Sequence, residues 1–497
     1  MGNDPLFSLQ NGSDIRGVAM GEGAALTQEA VGRIARAFVF WLSERTGKPP
    51  RELAVGVGHD SRLTADALTR AALDGIGSAG ARGFHCGLAS TPAMFMGTVY
   101  PESAFDGAVM MTASHLPAER NGMKFFTRGG GLEKTDIRAL LERAQGEPAP
   151  PRGQAHPAFD LMTLYTADLR ETIRAGVGGG ERPLAGLHVA VDCGNGAGGF
   201  FVSQVLGPLG ADTAGSRYLE PDGRFPNHKP NPEDAEAMAA ICEATVQSGA
   251  DLGLIFDPDV DRMSAVLPDG TPIARDALIA MIAAILAPEH PGGTIVTDSV
   301  TSDHLTDFLE RRLGLRHHRF RRGYRNVIGE AQRLEREGVS APLAIETSGH
   351  GAVKENYFLD DGAYLAVRLL IAAAKQRAAG RALAELIDGF VPPFEAREVR
   401  IPVRGEDFAA AGAEALRLFE ERAAAAGLAI APNSYEGVRV SDARGWMLLR
   451  LSLHDPLLPL NAEGNAPGDC ASLLRTARDL LAGIPALDCS VLGSADA

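Results

Sequence analysis

Apolar and polar positions follow one another in a recurring order along the first three quarters of the chain. A short apolar run is followed by a polar loop and then by a segment whose apolar residues have helical spacing, as at residues 53–58, 59–62 and 65–78. This order predicts the strand, loop and helix units of an α/β fold. It also predicts strands at residues 105–111, 187–191, 252–256, 293–296 and 343–345, and helices at residues 27–43, 234–248, 305–313 and 363–375.

The pattern changes after residue 390. Residues 398–403 and 446–453 are predicted strands, and residues 409–425 are a predicted helix rich in Ala, Glu and Arg. Residues 145–156 are rich in Pro and Gly, which is typical of a linker. We therefore expect an α/β protein with three similar mixed α/β domains and a smaller C-terminal α+β domain. The expected domain boundaries are residues 1–155, 156–275, 276–390 and 391–497.

The charge of the chain narrows its possible partners. Its 63 acidic residues outnumber its 48 basic residues, and the net charge of -15 argues against a nucleic acid or an anionic membrane as partner. The five cysteines are scattered and form no C-x-x-C, as expected of reduced thiols. The sequence shows neither a secretory signal nor an apolar run of membrane-spanning length. We expect a cytoplasmic protein, monomeric or homodimeric, with a small molecule as its partner.

The loop that follows the predicted strand at residues 105–111 contains a candidate nucleophile. Residues 112–117 break the apolar run with two hydroxyls and a proline, which puts Ser114 at a strand end, where α/β proteins build sites. Asn121-Gly122 predicts a turn that returns Lys124 to this loop. Ser114, His115 and Lys124 would then converge on one phosphate. The alternative is an ordinary hydrogen-bonded loop.

A second candidate site follows the predicted strand at residues 252–256. Asp257, Asp259 and Asp261 alternate along the chain and are closed by Arg262. Such carboxylates are costly to gather at a buried strand end unless a cation neutralises them, and their hard oxygen atoms suit Mg²⁺. A solvated acidic loop is the alternative. An EF-hand is excluded by Arg262 and Pro268, and a haloacid-dehalogenase-type loop is excluded by Asp261.

Two later loops carry groups suited to binding. Glu346, Ser348 and His350 offer an acceptor, a donor and an imidazole within five residues, which suits sugar hydroxyls as much as catalysis. Arg450 and Ser452 lie two positions apart at a strand end, a spacing that suits one phosphate. Arg450 would equally suit an ion pair with a surface acid.

Three other polar segments are less specific by themselves. The turn at residues 11–17 contains Arg16 and is typical of a solvated loop. The basic segment at residues 319–325 ends in Arg325. Residues 192–198 form a glycine loop, but the spacing of its glycines does not fit G-x-G-x-x-G, so we reject a dinucleotide-binding fold.

Together these loops resemble the α-D-phosphohexomutase superfamily, which includes phosphomannomutase, phosphoglucomutase and phosphoglucosamine mutase. The resemblance spans nearly the whole chain, and the motifs occur in the order expected for the family. The family's T-x-S-H-N-P phosphoserine loop is similar to residues 112–117, its N-G-x-K lysine to Lys124, its D-x-D-x-D-R metal loop to residues 257–262, its G-E-x-S-G-H sugar loop to residues 346–350 and its Y-D-I-R-G segment to residues 14–17.

The chain departs from the family pattern at a few positions. Leu116 replaces the asparagine of the phosphoserine loop, and Ile345 replaces the glycine of the sugar loop. The family's phosphate loop, R-x-S-(N/G)-T-x-P, is kept at Arg450, Ser452 and Pro456 but has Leu453 and His454 at its variable and threonine positions. These departures bear on substrate choice more than on the class of reaction.

The resemblance implies four domains around a central active-site cleft. It implies a mutase that interconverts hexose 1-phosphate and hexose 6-phosphate, of glucose or mannose, through a phosphoserine and a hexose 1,6-bisphosphate. The implied Mg²⁺ ligands are Asp257, Asp259, Asp261 and the phosphate on Ser114. The implied catalytic groups are Ser114, His115, Lys124, Arg16 and His350. The implied substrate-binding groups are Arg262, Glu346, Ser348, Arg325, Arg450, Ser452 and His454, where His454 would donate a hydrogen bond in place of the usual threonine.

Other functions remain open at this point. Phosphoglucosamine mutase is an alternative within the same family. A magnesium-dependent sugar-phosphate phosphatase would let water take the phosphoryl group, and a silent sugar-phosphate-binding protein would catalyse nothing. The intact Ser114 and the three aspartates argue against the silent protein.

Overall fold

The structure is a computed structural model that describes residues 5–405, 407–452 and 455–493. The chain forms two compact units, Met1–Ile285 with Ser348–Leu386, and Leu286–Thr347 with Ile387–Ala497. We call these unit 1 and unit 2. No helix in the described ranges combines the length and the apolar character that crossing a bilayer requires. Leu453 and His454 lie outside the described residues, so the hydrogen bond expected from His454 stays a prediction.

The first part of unit 1 is a seven-stranded mixed sheet covered by helices. Its elements are β1 (Gln10–Asn11), β2 (Asp14–Val18), α1 (Gln28–Thr46), β3 (Ala54–His59), α2 (Ala65–Ser78), β4 (Arg82–Leu88), α3 (Thr91–Met96), β5 (Gly107–Met111), β6 (Arg120–Thr127), β7 (Gly130–Gly131) and α4 (Lys134–Gly146). The strand order is β1-β2-β6-β5-β3-β4, with β7 on β6. Strand β5 is central, parallel to β3 and antiparallel to β6.

Helix α1 shows how the sequence builds this layer. The hydroxyl of Thr27 accepts a hydrogen bond from the Ala30 amide at the start, and a glycine in the left-handed region ends the helix. Val31, Ile34 and Phe38 recur at helical spacing and are fully buried in the same core as the sheet. Burying each such side chain contributes roughly 1.5 to 3 kcal/mol. This core holds β5 and the loop that follows it in place.

The turn predicted at Asn121-Gly122 is wrong, because both residues lie inside β6. The chain reverses earlier, within residues 114–119. Gly122 is needed for close backbone approach, since a Cβ there would lie 2.4 Å from the Ile15 carbonyl oxygen. Lys124 still returns toward the serine loop, because antiparallel pairing places it opposite Met110 of β5.

The second part of unit 1 is a four-stranded sheet. Its elements are α5 (Leu161–Val177), β8 (Val189–Asp192), α6 (Ala235–Ser248), β9 (Leu252–Phe256), β10 (Met263–Val266), β11 (Pro272–Ile273) and α7 (Asp276–Leu286). The strand order is β11-β10-β9-β8, and β9 and β10 are antiparallel. The acidic loop at residues 257–262 is therefore the connection between two buried strands. Within it, Val260 has a φ of 64°, a strained value for a β-branched residue.

Unit 2 begins with three parallel strands. Its first elements are β12 (Thr294–Thr297), α8 (Asp303–Asp307), β13 (Arg316–Arg319), α9 (Tyr324–Arg336) and β14 (Leu343–Ile345). Strand β12 lies between β13 and β14 and is parallel to both. The basic segment precedes α9, and Glu346 follows β14 directly. Both therefore lie at the carboxyl edge of this sheet.

The chain then returns to unit 1 with the hairpin of β15 (Gly351–Val353) and β16 (Leu359–Asp360) and with helix α10 (Gly362–Ala378). Asp361 caps α10 and accepts a hydrogen bond from the Tyr165 hydroxyl of α5 at 2.8 Å. Burial raises the pKa of Asp361 to about 7, and its hydrogen bonds oppose that rise. The contact thus holds two helices together through a buried carboxyl.

Replacing Tyr165 with phenylalanine is expected to destabilise unit 1 by about 1 to 3 kcal/mol, because the buried Asp361 carboxyl loses a donor while the ring remains. Thermal unfolding measures the effect. Tyr218→Phe, which removes a hydroxyl from a half-buried ring, is the control. Equal melting temperatures for the two variants would contradict the proposed weight of this hydrogen bond.

The remainder of unit 2 is an antiparallel sheet with helices. Its elements are β17 (Glu395–Pro402), α11 (Phe408–Ala425), β18 (Ala429–Ile430), β19 (Val438–Asp442), β20 (Gly445–Leu449), β21 (Leu457–Gly464) and α12 (Asp469–Leu481). The strand order is β17-β21-β20-β19-β18. Both helices pack in the core of this sheet. The mixed sheets and this last sheet confirm the predicted fold class of three α/β parts and a smaller α+β part, while the expected domain boundaries stay a prediction.

Candidate active site

Ser114 lies just after β5 with its hydroxyl in a buried polar cluster. Its backbone has a φ of 51°, an uncommon value for a residue other than glycine. The Ser114 hydroxyl donates to Asp257 at 2.7 Å and accepts from the guanidinium of Arg262 at 3.0 Å. The predicted serine and the first and last residues of the acidic loop thus meet at one oxygen atom.

Arg62 binds the backbone of the serine loop. The sequence had predicted Arg62 only as part of a polar loop. Its fully buried guanidinium donates to the carbonyl oxygens of Ser114, Leu116, Pro117 and Arg120 at 2.5 to 2.8 Å. Asp60 lies 3.3 Å from the Arg62 Nε atom and also accepts from the Thr112 hydroxyl. Arg62 therefore sets the shape of the loop without contacting the serine hydroxyl. In the sequence, the feature that could have indicated this role is the position of Arg62 just after the predicted strand at residues 53–58.

Replacing Arg62 with methionine is expected to destabilise unit 1 by about 3 to 5 kcal/mol, because one buried and three partly buried carbonyls lose this donor and the buried Asp60 loses its cation. Phosphate incorporation at Ser114 should fall with it. Arg70→Met is the matched control, since Arg70 is 72% exposed and pairs only with Asp66 in the described structure. If the two variants unfold at the same temperature, Arg62 does not support the loop.

The three predicted carboxylates lie together and face Lys124. The Lys124 ammonium donates to Asp259 at 2.7 Å and to Asp261 at a shorter distance. One oxygen from each of Asp257, Asp259 and Asp261 lies within 4.8 Å of the others. Thr91, which was not predicted as a site residue, donates its hydroxyl to the Asp259 carboxylate and its amide to the Asp259 backbone carbonyl, and so orients that side chain. The lysine, the serine and the aspartates form one cluster within unit 1.

This cluster fits a divalent cation. The Oδ1 atoms of Asp259 and Asp261 are buried and accept no hydrogen bond within the described residues. Burial, and then the charges of Asp259 and Asp261, raise the pKa of Asp257 to about 8. Burial alone would raise the pKa of Asp259, but Lys124 and Thr91 outweigh it and lower that pKa. The unused oxygen atoms of Asp259 and Asp261 are hard ligands of the kind Mg²⁺ prefers.

His115 and Arg262 lie against the serine. Arg262 Nη2 donates to His115 Nδ1 at 2.7 Å, and this nitrogen is 3.4 Å from the Ser114 hydroxyl. Burial, followed by the charges of Arg262 and Arg16, lowers the pKa of His115 to about 3, so the imidazole is neutral. Arg16 is itself held by Asp14 at 2.8 Å. Arg262 therefore contacts the serine hydroxyl directly, and Arg16 adds a second positive charge that acts on the neighbouring His115.

His350 lies beside Asp261 of the acidic loop. Its Nδ1 atom is 2.6 Å from Asp360 and 3.8 Å from Asp261. Burial would lower the pKa of His350, but these two carboxylates outweigh burial and raise it to about 9. The imidazole is therefore a cation, and its Nδ1 atom faces the Asp360 carboxylate. Ser348, two residues earlier, has a buried hydroxyl that bonds to no described residue.

The remaining predicted residues form a second cluster within unit 2. Glu346 accepts from the Gly323 amide at 2.6 Å, just before α9. Arg325 lies in the first turn of that helix. Asp298, which is fully buried after β12, accepts from the amide and hydroxyl of Thr347. The sugar loop and the basic segment are therefore joined by a direct hydrogen bond between Glu346 and the Gly323 amide.

Arg450 lies in the same cluster, at the end of β20. Its Nη1 atom is 3.5 Å from Glu436, whose other oxygen accepts from the Arg322 amide at 2.8 Å. Ser452 follows two residues later, and its hydroxyl accepts from the Asp455 amide at 3.2 Å. The structure thus places Ser114, His115, Lys124, Arg16, His350, Ser348, Arg262 and the three aspartates in unit 1, and Glu346, Arg325, Arg450 and Ser452 in unit 2.

Three family models match consecutive parts of this chain. They are described as phosphoglucomutase/phosphomannomutase, alpha/beta/alpha domain I at residues 8–149, domain II at residues 165–270 and domain III at residues 274–394. The serine loop falls within the first match, the acidic loop within the second and the sugar loop within the third. These three motifs therefore lie in different matched domains, while the phosphate loop at residues 450–456 lies outside the three matches.

Whole-length relatives give the same result. A phosphomannomutase/phosphoglucomutase of Pseudomonas putida is 31% identical over 466 residues, covering 93% of each chain. A phosphoglucosamine mutase of Salinispora arenicola is 31% identical over 462 residues, covering 90% of this chain and 93% of its own. A phosphoglucomutase/phosphomannomutase family protein of Burkholderia thailandensis is 25% identical with a TM-score of 0.81, covering 97% and 98% of the two chains.

Proposed function

The chain belongs to the phosphoglucomutase/phosphomannomutase family within the α-D-phosphohexomutase superfamily, and we propose that it interconverts hexose 1-phosphates and hexose 6-phosphates of glucose, mannose or both. Members of this family are isomerases, because substrate and product differ only in the position of one phosphoryl group. The observation that carries the proposal is the Ser114 hydroxyl, held between Asp257 and Arg262 beside Lys124.

In the proposed reaction, phosphorylated Ser114 gives its phosphoryl group to the free hydroxyl of a hexose monophosphate. The O–P bond to the serine breaks, a new O–P bond to the sugar forms, and the product is a hexose 1,6-bisphosphate. After the bisphosphate turns round, its other phosphoryl group returns to Ser114. Arg262, Arg16 and Lys124 would balance the charge that moves between serine and sugar.

We propose Mg²⁺ as the cofactor, held by Asp257, Asp259, Asp261 and the phosphate on Ser114. The buried Oδ1 atoms of Asp259 and Asp261, which accept no hydrogen bond from any described residue, support this choice. When bound, the ion would polarise the phosphoryl group and stabilise its negative charge during transfer. Thr91 would keep Asp259 oriented toward it.

Proton handling is assigned to His350 and Lys124. The sugar hydroxyl that attacks the phosphoryl group must lose a proton and the serine oxygen that leaves must gain one, and the return transfer to Ser114 reverses both proton movements. Asp360 contacts Nδ1 of His350, and we assign the exchange of a proton with the sugar to this imidazole. The deprotonated imidazole acts as the base, and the imidazolium favoured by Asp360 acts as the acid.

Glu346 and Ser348 of the sugar loop are proposed to bind sugar hydroxyls, and Arg450 with Ser452 of unit 2 to bind the phosphate that is not reacting. Replacing Arg450 with alanine is expected to reduce kcat/KM by roughly two to three orders of magnitude, the value of a charge-assisted contact of about 3 to 4 kcal/mol. His454→Ala should cost clearly less. Arg417→Ala, on the exposed face of α11, is the control. Near-normal kcat/KM for Arg450→Ala on both hexose 1-phosphates would contradict the assignment.

Purified protein assayed with glucose 1-phosphate, mannose 1-phosphate and glucosamine 1-phosphate, each with a trace of the matching bisphosphate, tests the function. The expected product is the 6-phosphate of glucose or mannose. The glucosamine assay is included because a phosphoglucosamine mutase is among the relatives at 31% identity. Steady release of inorganic phosphate would instead indicate a phosphatase, and no conversion of any sugar would indicate a silent binding protein.

A further inference from the structure

The carboxylate of Glu436 occupies a position in unit 2 that is suited to a phosphate group. Its Oε2 atom accepts from the Ser299 hydroxyl at 2.9 Å and from the Arg322 amide at 2.8 Å, and its Oε1 atom lies 3.5 Å from Arg450 Nη1. A hydroxyl, a backbone amide and a guanidinium are all donors that a phosphate oxygen accepts. Glu436 therefore makes the contacts that an anionic ligand would make there.

The charges around Arg450 and Arg322 also favour an anion at this position. Burial, and then the guanidinium of Arg322, lower the pKa of Arg450, while Glu436 opposes that change. Arg322 also lies 3.8 Å from Asp298. Asp298 is fully buried and bound to Thr347, so it cannot leave. Glu436 precedes β19 in a loop, and its side chain is 19% exposed, which makes it the acid in this cluster that is able to move.

We propose that Glu436 is a built-in substitute for the substrate phosphate. It binds Arg450, Ser299 and the Arg322 amide while no phosphate is present, and it yields these donors when the phosphate of the sugar arrives. The inference rests on the proposed function, because it takes Arg450 as the residue that binds the non-reacting phosphate.

Such a substitute has two effects on binding. It keeps Arg450 oriented in the absence of ligand, which reduces the ordering that binding requires. It also opposes binding of any phosphate, because the carboxylate must be displaced or remain beside a dianion. The affinity for the bare phosphate group is thereby kept low, so that a sugar phosphate must use its sugar contacts to bind. One of those contacts is adjacent, since the Gly323 amide next to Arg322 donates to Glu346.

Inorganic phosphate is the probe that isolates this effect, because it carries no sugar. Glu436→Gln keeps an oxygen for Ser299 and the Arg322 amide but removes the charge. Calorimetry at fixed ionic strength should show that this variant binds inorganic phosphate about tenfold more tightly than the wild type, a difference of about 1.4 kcal/mol. Glu420→Gln, on the exposed face of α11, changes the total charge by the same amount and should bind as the wild type does.

A double-mutant comparison assigns the effect to the Arg450 site. The tightening caused by Glu436→Gln should disappear in the Arg450→Ala background, because the two residues act on the same anion. If Arg450→Ala alone leaves phosphate binding unchanged, the phosphate site of the proposed function is wrong. If Arg450→Ala weakens binding while Glu436→Gln leaves it unchanged or weakens it, the proposed function stands and the substitute is overturned.

A second variant separates a change in phosphate binding from a loss of folding stability. Glu436→Ala removes both the charge and the hydrogen bonds, so it should also bind inorganic phosphate more tightly, while its melting temperature without phosphate falls below that of Glu436→Gln. Weaker phosphate binding by both variants would identify Glu436 as a structural contact between the loop before β19 and the basic segment, and would overturn the inference.

Discussion

Replacing Ser114 with alanine is expected to remove nearly all turnover, by roughly four orders of magnitude or more, because the alanine cannot carry the phosphoryl group between the two positions of the sugar. The fold should persist, since among the described residues the Ser114 hydroxyl contacts only Asp257, Arg262 and His115. Intact-mass spectrometry of the active protein should show one added phosphate, and peptide mapping should place it on Ser114.

Ser203→Ala is the matched control, since Ser203 is exposed on the surface of the same unit. It should keep both turnover and the added mass. Phosphate found only on another residue of the active protein, or substantial turnover by Ser114→Ala, would refute the role assigned to this serine.

The second large effect is expected from Asp259→Asn. The amide oxygen of asparagine still accepts hydrogen bonds from Thr91 and Lys124, so unit 1 should keep its fold. The loss of one anionic ligand should weaken Mg²⁺ binding by at least about tenfold. Turnover at a fixed Mg²⁺ concentration should fall by about two orders of magnitude or more, since the ion supplies several kcal/mol of charge stabilisation.

Mg²⁺ binding is measured directly, by calorimetry or by the rise in melting temperature with added Mg²⁺. Glu181→Gln removes an exposed acid of the same unit and should change neither quantity. Protein that stays fully active after treatment with EDTA would contradict the metal site as a whole. An unchanged Mg²⁺ affinity in Asp259→Asn would show that Asp259 is not a ligand of the ion.

The strands and helices were largely predictable because their patterns are local. The helix at residues 65–78 and the strands at residues 252–256 and 343–345 have the predicted bounds. Each combines a buried apolar pattern with a polar loop beside it, so sequence neighbours decide its extent. Asn121-Gly122 was wrong for the opposite reason. The glycine is needed because two other strands pass close to it, and the local sequence does not show that crowding.

The same distinction separates the candidate site residues that the sequence predicted from those that only the structure revealed. Ser114 and the three aspartates stand at strand ends in distinctive loops, so the chemistry of the loop identified them. Arg62, Thr91 and Glu436 act through partners far away in the sequence, and none of their loops carries a distinctive pattern. Arg62 contacts carbonyls more than fifty residues away, which only the folded backbone brings near.

The contacts that hold the site together also determine when it can form. Ser114 meets Asp257 across 143 residues of sequence, Lys124 meets Asp259 across 135, and Thr91 meets Asp259 across 168. Contacts between such distant segments are slow to form, because long loops must close before any contact compensates for the lost chain entropy. When only the first sheet has been synthesised, Ser114 lacks its partner Asp257. The buried Lys124 then lacks the carboxylates of Asp259 and Asp261. During synthesis or refolding, helical structure should therefore appear before the protein can be phosphorylated, and the interval between the two is the time the acidic loop needs to dock.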